Sequence, residues 1–391
     1  MDKSGDAEAI LDLQPKSSIS VAYHSDFGPH EDLLLLELDE KLLPDVLSER
    51  VSLRGEPDED AVFCTQSKTY AIKFVGNSNS VFLIPPSNSS SFPKNAMDCD
   101  EQILDQPASA FVLKVASGNL ELVEVAPRLD KLKLLLAQKP FTIEEMSEME
   151  TFLVSEEQNS VYRWNDLIGQ IQASDIELRS GLEALNALEI NGYWRIIDEN
   201  CMDSVLNMLL HNAVLNDWSL DALPETEVVS IMESDGFPPK LSNHCLKVYG
   251  NTVDNEDGVS LWKLNEKQVC VHFAKRIMKN GKVKKDKFLE EWKNKIPNGM
   301  QASFEMLECE VLTERIGVEI WIHPFSVSSL PSTPAERFSI LFKERPKWEW
   351  KDLEPYIRDL KVPGLSSEGL LLKYTRRSQP RPDVEPIFSA R

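Results

Sequence analysis

The residues best placed to do chemistry in this 391-residue chain are two C-terminal basic clusters: Lys282, Lys284, Lys285 and Lys287, and Lys373, Arg376, Arg377 and Arg381. Clusters of this kind bind phosphate, and each phosphate neutralised on duplex DNA steepens the salt dependence of binding by about 0.9 log unit. A solvated lysine face has the same composition, so the charge around each cluster decides. Residues 271–300 carry 9 basic against 3 acidic side chains and residues 331–391 carry 12 against 9. By contrast, residues 1–140 carry 13 against 23 and residues 141–270 carry 7 against 24. Nucleic acid is therefore expected at the C-terminal end only. A formal charge of −22 and a pI near 4.8 exclude a protein that coats nucleic acid over its whole surface.

Other chemistry finds little support. The sequence has no Gly-x-x-x-x-Gly-Lys-Ser/Thr loop, no Gly-x-Gly-x-x-Gly and no Gly-x-Ser-x-Gly. No two of its histidines are spaced His-x-x-x-His, the commonest helical zinc arrangement. His244 beside Cys245 is the one His–Cys neighbour pair, and with Leu241 and Val248 the cysteine falls on an apolar helix face, which reads as structural. The acidic pairs Glu144-Glu145 and Glu156-Glu157 read as solvated helix surface. Six cysteines without a C-x-x-C argue against a disulfide framework and for a reducing compartment. No apolar run approaches a membrane span, and the acidic N-terminus is unlike a signal peptide. The chain is expected to be a nuclear or cytosolic non-enzyme without cofactor or metal.

The elements that would position the basic clusters show best in residues 163–198. Ser174 with Glu177 forms a capping box, Leu178, Leu182 and Leu185 then share one helix face, and Asn191-Gly192 turns into a strand bearing Tyr193 and Trp194. This predicts helix, turn, helix and wing strand, a winged-helix unit. Tryptophans pair in the same way at Trp164 with Trp194, Trp218 with Trp262 and Trp292 with Trp321, the first of each pair expected to open a middle helix, and a further copy begins at Trp348 or Trp350. Third helices are expected over residues 174–188, 239–249, 303–312 and 366–377, with Gly250 as a C-terminal stop. Thr333, Pro334 and Glu336 give the last copy a full helix start, although only residues 384–388 could supply its wing.

Residues 1 to about 125 read as β-rich, with short apolar or alternating runs at 33–38, 51–53, 61–64, 69–75, 81–84, 111–115 and 120–125. Turns are expected at residues 76–78 and 117–119, and a loop excursion over residues 85–107. A small barrel or sandwich left incomplete would expose an edge to a partner strand. Tyr70, Ile72, Phe74, Val81 and Phe82 are the expected partner-binding residues.

The expected fold class is thus α+β, a β-rich N-terminal domain that is a small barrel or sandwich, followed by tandem winged helices. The expected domains are 1–128 for subunit assembly, 129–198 for a linking helix and first winged helix, 199–265 and 266–330 for two more, and 331–391 for a partial fourth.

Residues 33–85, with their LLELDE, RG-x-x-DE-x-AV and KTY-x-IK elements, resemble the Dcc-type sister chromatid cohesion proteins. DLIGQIQAS, GYWRI, HCLKVYG, IPNGM, ERF and PYI-x-DL extend the resemblance nearly to the C-terminus. It implies a non-ATPase subunit of the alternative replication-factor-C clamp loader, acting in sliding-clamp loading or unloading and in sister chromatid cohesion. The resemblance implies that the N-terminal domain is β-barrel-like and completed by partner subunits, the C-terminal tail of the large loader subunit and its small companion subunit; the other implied partners are DNA polymerase epsilon, DNA and, indirectly, the sliding clamp. The implied location is the nucleus. A stand-alone winged-helix transcription regulator is the alternative, and the acidic helix carrying Glu177 and Glu183 counts against it.

Overall fold

The computed structural model of the chain describes residues 19–48, 50–85, 108–147, 160–253, 260–360, 362, 365–379, 381 and 384–391. The described residues are a mixture of helix and strand, 42% helical and 28% strand, consistent with the α+β class. Two compact units divide it, Met1–Ser52 with Tyr70–Glu124, and Leu53–Thr69 with Val125–Arg391.

Two long neighbouring strands dominate the first unit, Thr69–Leu83 and Lys114–Val125. The turns expected at residues 76–78 and 117–119 lie inside these strands. A Cβ added at Gly118 would sit 2.2 Å from the Val75 carbonyl oxygen and 2.9 Å from Gly76 Cα. The glycine therefore serves close backbone approach and not chain reversal. Residues 33–38 form no strand of their own; Leu36 makes an isolated parallel bridge to Leu120, whose amide donates to the Leu35 carbonyl at 2.7 Å. Ile19–Tyr23 runs parallel to Ala108–Val112. Lys114–Val125 ends its sheet, so the sheet is open, and no closed barrel exists among the described residues. Beyond Pro85, the expected excursion over 85–107 lies outside the described residues, as does the Glu156-Glu157 pair.

The second unit opens with the short strands Ser52–Arg54 and Val62–Cys64. The segment at residues 128–139, which reads in sequence as a linker, contains the helix Asp130–Ala137. Leu132 and Leu136 from it are buried with Leu167, Leu178 and Leu182, making it the first helix of a small core. Trp164–Gln170 and Asp175–Ala184 follow, then the hairpin of Ala187–Ile190 with Tyr193–Ile196, to which Tyr162 adds a bridge at Trp194. At the hairpin turn Asn191 and Gly192 have φ of 52° and 84°, the pair of positive values that a tight two-residue turn needs.

Three further repeats share one order of elements: helix, strand, helix, helix, strand, strand. The first comprises Glu199–Leu215, Leu223–Pro224, Glu225–Ser234, Pro239–Tyr249, Gly250–Val253 and Leu261–Leu264. The next runs Glu266–Ile277, Val283–Lys284, Lys285–Lys295, a single 3-10 turn Phe304–Leu307, Val311–Ile316 and Glu319–Pro324. The last runs Pro334–Glu344, Lys347–Glu349, Trp350–Leu353, Ser367–Tyr374, Thr375–Ser378 and Ile387–Ala390. In each, the final strand lies at the centre of a three-stranded sheet.

The third helix expected over residues 303–312 shrinks to a 3-10 turn because Val311 and Leu312 join the strand paired with Glu319–Pro324, where a β-branched residue packs better. Cys309 turns the chain there at φ 70°. Gly250 stops its helix in extended conformation, φ −139°, and starts a strand. Residues 384–388, expected to supply the last copy's strand, lie partly in Ile387–Ala390, which pairs with both other strands of its sheet and buries Phe388. Trp218 and Trp292 do not open middle helices. Trp218 follows the helix Glu199–Leu215, and Trp292 lies late in Lys285–Lys295, where its indole N–H donates to the buried Cys270 carbonyl at 2.8 Å.

Candidate partner and nucleic-acid interfaces

The five residues singled out for partner binding all lie on Thr69–Leu83. Its pleat alternates side chains between faces. Tyr70 and Ile72 are half-buried, whereas Phe74 is 63% exposed and Phe82 49%. Val81 falls on the other parity, half-buried, and with Val75, Leu35 and Leu36 lines a cleft of about 620 Å³ rimmed by Glu37, Asn77 and Asn119. Apolar residues exposed elsewhere in this unit were missed in the sequence: Val21, Tyr23 at 69% and Leu34 at 70%. Val21 and Tyr23 share one parity of a strand, which is the signal that could have found them.

The two basic clusters lie in different repeats with different surroundings. Lys282 precedes the strand Val283–Lys284 and Lys284 lies in it, and they pair with Glu314 and Glu319 of the adjacent hairpin, Lys284 Nζ at 2.6 Å from Glu319 Oε1. Lys285 lies over the Phe304 ring at 4.1 Å, and Lys287 is exposed on the helix Lys285–Lys295. This cluster is thus partly neutralised by acids of its own sheet. In the last repeat, Lys373 ends the helix Ser367–Tyr374, and Arg376 and Arg377 are exposed on the strand that follows. Arg377 donates to Gln379 at 3.0 Å, a neutral partner that leaves its charge in place. Arg381 is exposed between this strand and the last. The structure therefore puts Lys373 in the last turn of a helix, Arg376 and Arg377 on the strand that follows and Arg381 beyond it, and sets Lys282 and Lys284 of the preceding repeat beside carboxylates.

The His–Cys pair is structural. Cys245 is 1% exposed and its thiol is pushed far up by burial, which makes it inert as a nucleophile. His244 is buried as well and is pushed down to about 4, mainly by burial. A half-buried histidine, His272, accepts or donates to Tyr249 Oη at 2.8 Å through Nδ1 and meets Asp203 at 2.9 Å through Nε2. Arg276 also pairs with Asp203, so this network ties the helix Glu199–Leu215 to the helix Glu266–Ile277 of the next repeat. Among the described residues no cluster of three or more His, Cys, Asp or Glu could hold a metal ion.

The fold thus combines an open sheet bearing exposed aromatic residues with a series of helix-and-sheet repeats, the last of which carries exposed basic side chains. The chain belongs to the family described as sister chromatid cohesion protein Dcc1, whose model matches residues 33–357. It is similar to the sister chromatid cohesion protein DCC1 of Danio rerio, 32% identical over 381 residues, 94% of this chain and 91% of that one. The protein of the same name from Homo sapiens is 31% identical over 350 residues, 89% of this chain and 86% of that one. That of Saccharomyces cerevisiae is 20% identical over 335 residues, 82% and 85%.

Proposed function

We propose that this chain is a non-catalytic adaptor subunit of an alternative clamp-loader complex that acts in sister chromatid cohesion. It works on the sliding clamp at replication forks in the nucleus. The three-stranded repeats are winged-helix modules, a reading supported by their shared order of helix, strand, two helices and two strands. The open sheet of the first unit is completed by strands from the large loader subunit's tail and its small companion. The repeats carry the contacts to DNA and to DNA polymerase epsilon.

The observation that carries this reading is the open sheet in which Thr69–Leu83 exposes Phe74 and Phe82 and the neighbouring Lys114–Val125 is an edge strand. An exposed apolar sheet of this kind is a hazard to a protein that works alone and a template for strand addition. The alternative, a stand-alone transcription regulator, would need no such surface. DNA is placed on the last repeat, where a full helix precedes the arginine-bearing wing.

The test is co-expression of the full chain with the large-subunit tail and the small companion, read by size-exclusion chromatography with light scattering. A stable 1:1:1 complex is expected from the native chain and none from Phe74→Asp/Phe82→Asp. A monomer that ignores both partners would instead favour the regulator.

A further inference from the structure

We propose that Thr333 is a phosphorylation site for a proline-directed serine/threonine kinase, and that the phosphoryl group there opens a clasp joining the first helix–sheet unit to the start of the last. The chain has 23 prolines, and Pro334 alone follows a serine or a threonine. A kinase that selects proline after its acceptor thus has one candidate in the whole sequence. Thr333 is exposed, its side chain makes no capping hydrogen bond, and its backbone is extended at φ −72° and ψ 118°. Proline imposes that conformation on the residue before it.

The clasp lies one residue away. Ser332 donates its amide to the Asp130 carboxylate at 3.1 and 3.2 Å to the two oxygens, and its hydroxyl donates to the same group. Lys133, one helical turn on from Asp130, donates to the Ser328 carbonyl. Asp130 and Lys133 belong to the helix Asp130–Ala137, and residues 328–332 lead into the helix Pro334–Glu344, so these bonds join segments about 200 positions apart.

In the transfer, Thr333 Oγ1 attacks the γ-phosphorus of a nucleoside triphosphate. The new O–P bond forms as the bond to the β–γ bridging oxygen breaks, the nucleoside diphosphate leaves, and the hydroxyl proton passes to the kinase's catalytic carboxylate. Thr333 then bears about −1.5 to −2 charges at neutral pH. That charge stands beside the residue that Asp130 grips and is repelled by the Asp130 carboxylate. Glu336, in the first turn of the following helix, has the same sign. Arg337 cannot neutralise it, because its buried guanidinium is committed to the Pro331 and Tyr356 carbonyls and to Asp359.

The full-length protein is incubated with a proline-directed kinase and ATP, the site is mapped by mass spectrometry, and amide hydrogen exchange is measured before and after. The expected result is one phosphate, at Thr333, absent from Thr333→Ala, with exchange over residues 130–137 rising on the order of tenfold. In Asp130→Asn, which lacks the repelling charge, phosphorylation should change that exchange by less than about twofold. Failure to modify Thr333 under conditions that consume a free Thr-Pro peptide would overturn the proposal. So would modification without a rise in exchange, or a rise in Asp130→Asn as large as in the native chain.

Discussion

Residue by residue, the tryptophans that look alike in sequence are not alike in burial. Trp292 and Trp348 are fully enclosed, whereas Trp194 is half-buried in its hairpin. Truncating an enclosed tryptophan removes a large apolar surface and leaves a cavity, a loss of about 3–5 kcal/mol. Urea unfolding should therefore place Trp292→Ala in that range and Trp194→Ala at about half of it or less; equal losses would contradict the packing described. His244 gives a pH dependence. Its folded-state value is held down to about 4, against 6.5 as the ordinary value, first by burial and against the Asn186 backbone hydrogen bond. Below about 6.5 the unfolded chain takes up the proton that the folded chain refuses. The stability that neutral His244 confers is thus complete above pH 6.5 and is lost progressively down to about pH 4, by up to about 3 kcal/mol. His244→Gln should flatten that portion of the pH–stability curve. A curve of unchanged slope would mean that this imidazole stays hydrated.

At the scale of elements, Gly118 shows how one residue holds a strand pair together. A methyl group at that position would meet the Val75 carbonyl oxygen at 2.2 Å, and the atom in the way is backbone, which cannot swing aside. Gly118→Ala should lower the melting temperature of the full chain and abolish capture of the partner subunits, while Gly192→Ala, which has open space around it, should be limited to its backbone strain at φ 84°. The same pair explains what could be read in advance. Local signals were legible: Ser174 and Glu177 cap each other as their spacing requires, with the Glu177 amide on Ser174 Oγ at 3.3 Å and the Ser174 amide on Glu177 Oε2 at 3.0 Å. Asn191-Gly192 turned the chain, and Pro334 started a helix. Gly76 and Gly118 misled because a glycine in a turn and a glycine under a crossing strand have the same letter, and only the neighbouring strand distinguishes them. Equally hidden was Thr69, whose hydroxyl accepts from the Ser174 amide and donates to Glu177 at 2.6 Å, across more than 100 residues of sequence. Strand alternation put Tyr70, Ile72 and Phe74 on one face, as the strand Thr69–Leu83 does, but it did not reveal that Phe74 would be 63% exposed, nor that Tyr23 and Leu34, far away in sequence, would be exposed too.

For the whole molecule, charge decides where DNA can go. The chain carries −22, so a phosphate backbone is repelled by most of its surface and must be drawn to a local excess of positive charge. Counting basic residues in sequence favours the cluster from Lys282 to Lys287, but the ion pairs of Lys282 with Glu314 and of Lys284 with Glu319 favour the last repeat for the proposed DNA contact. Lys282 and Lys284 are each within 2.6 Å of a glutamate on their own sheet, whereas Arg376 and Arg377 stand exposed on a wing next to a complete helix. Exposed ion pairs are worth only about 0–1 kcal/mol, so a phosphate could displace the glutamates, yet it would then face two uncompensated carboxylates at the same distance. Arg376→Glu/Arg377→Glu should therefore weaken binding to duplex DNA across all sequences and reduce the slope of log affinity against log salt by about 2, one for each phosphate contact removed. Lys282→Glu/Lys284→Glu should change that slope by less than about 0.5 and should instead loosen the hairpin that holds Glu314 and Glu319. Fluorescence anisotropy over a salt series measures both variants on one duplex. If the lysine pair proved the more damaging, the DNA-binding face would move to the preceding repeat, whose third helix is a single turn, and the contact would have to be made by its strand and second helix instead.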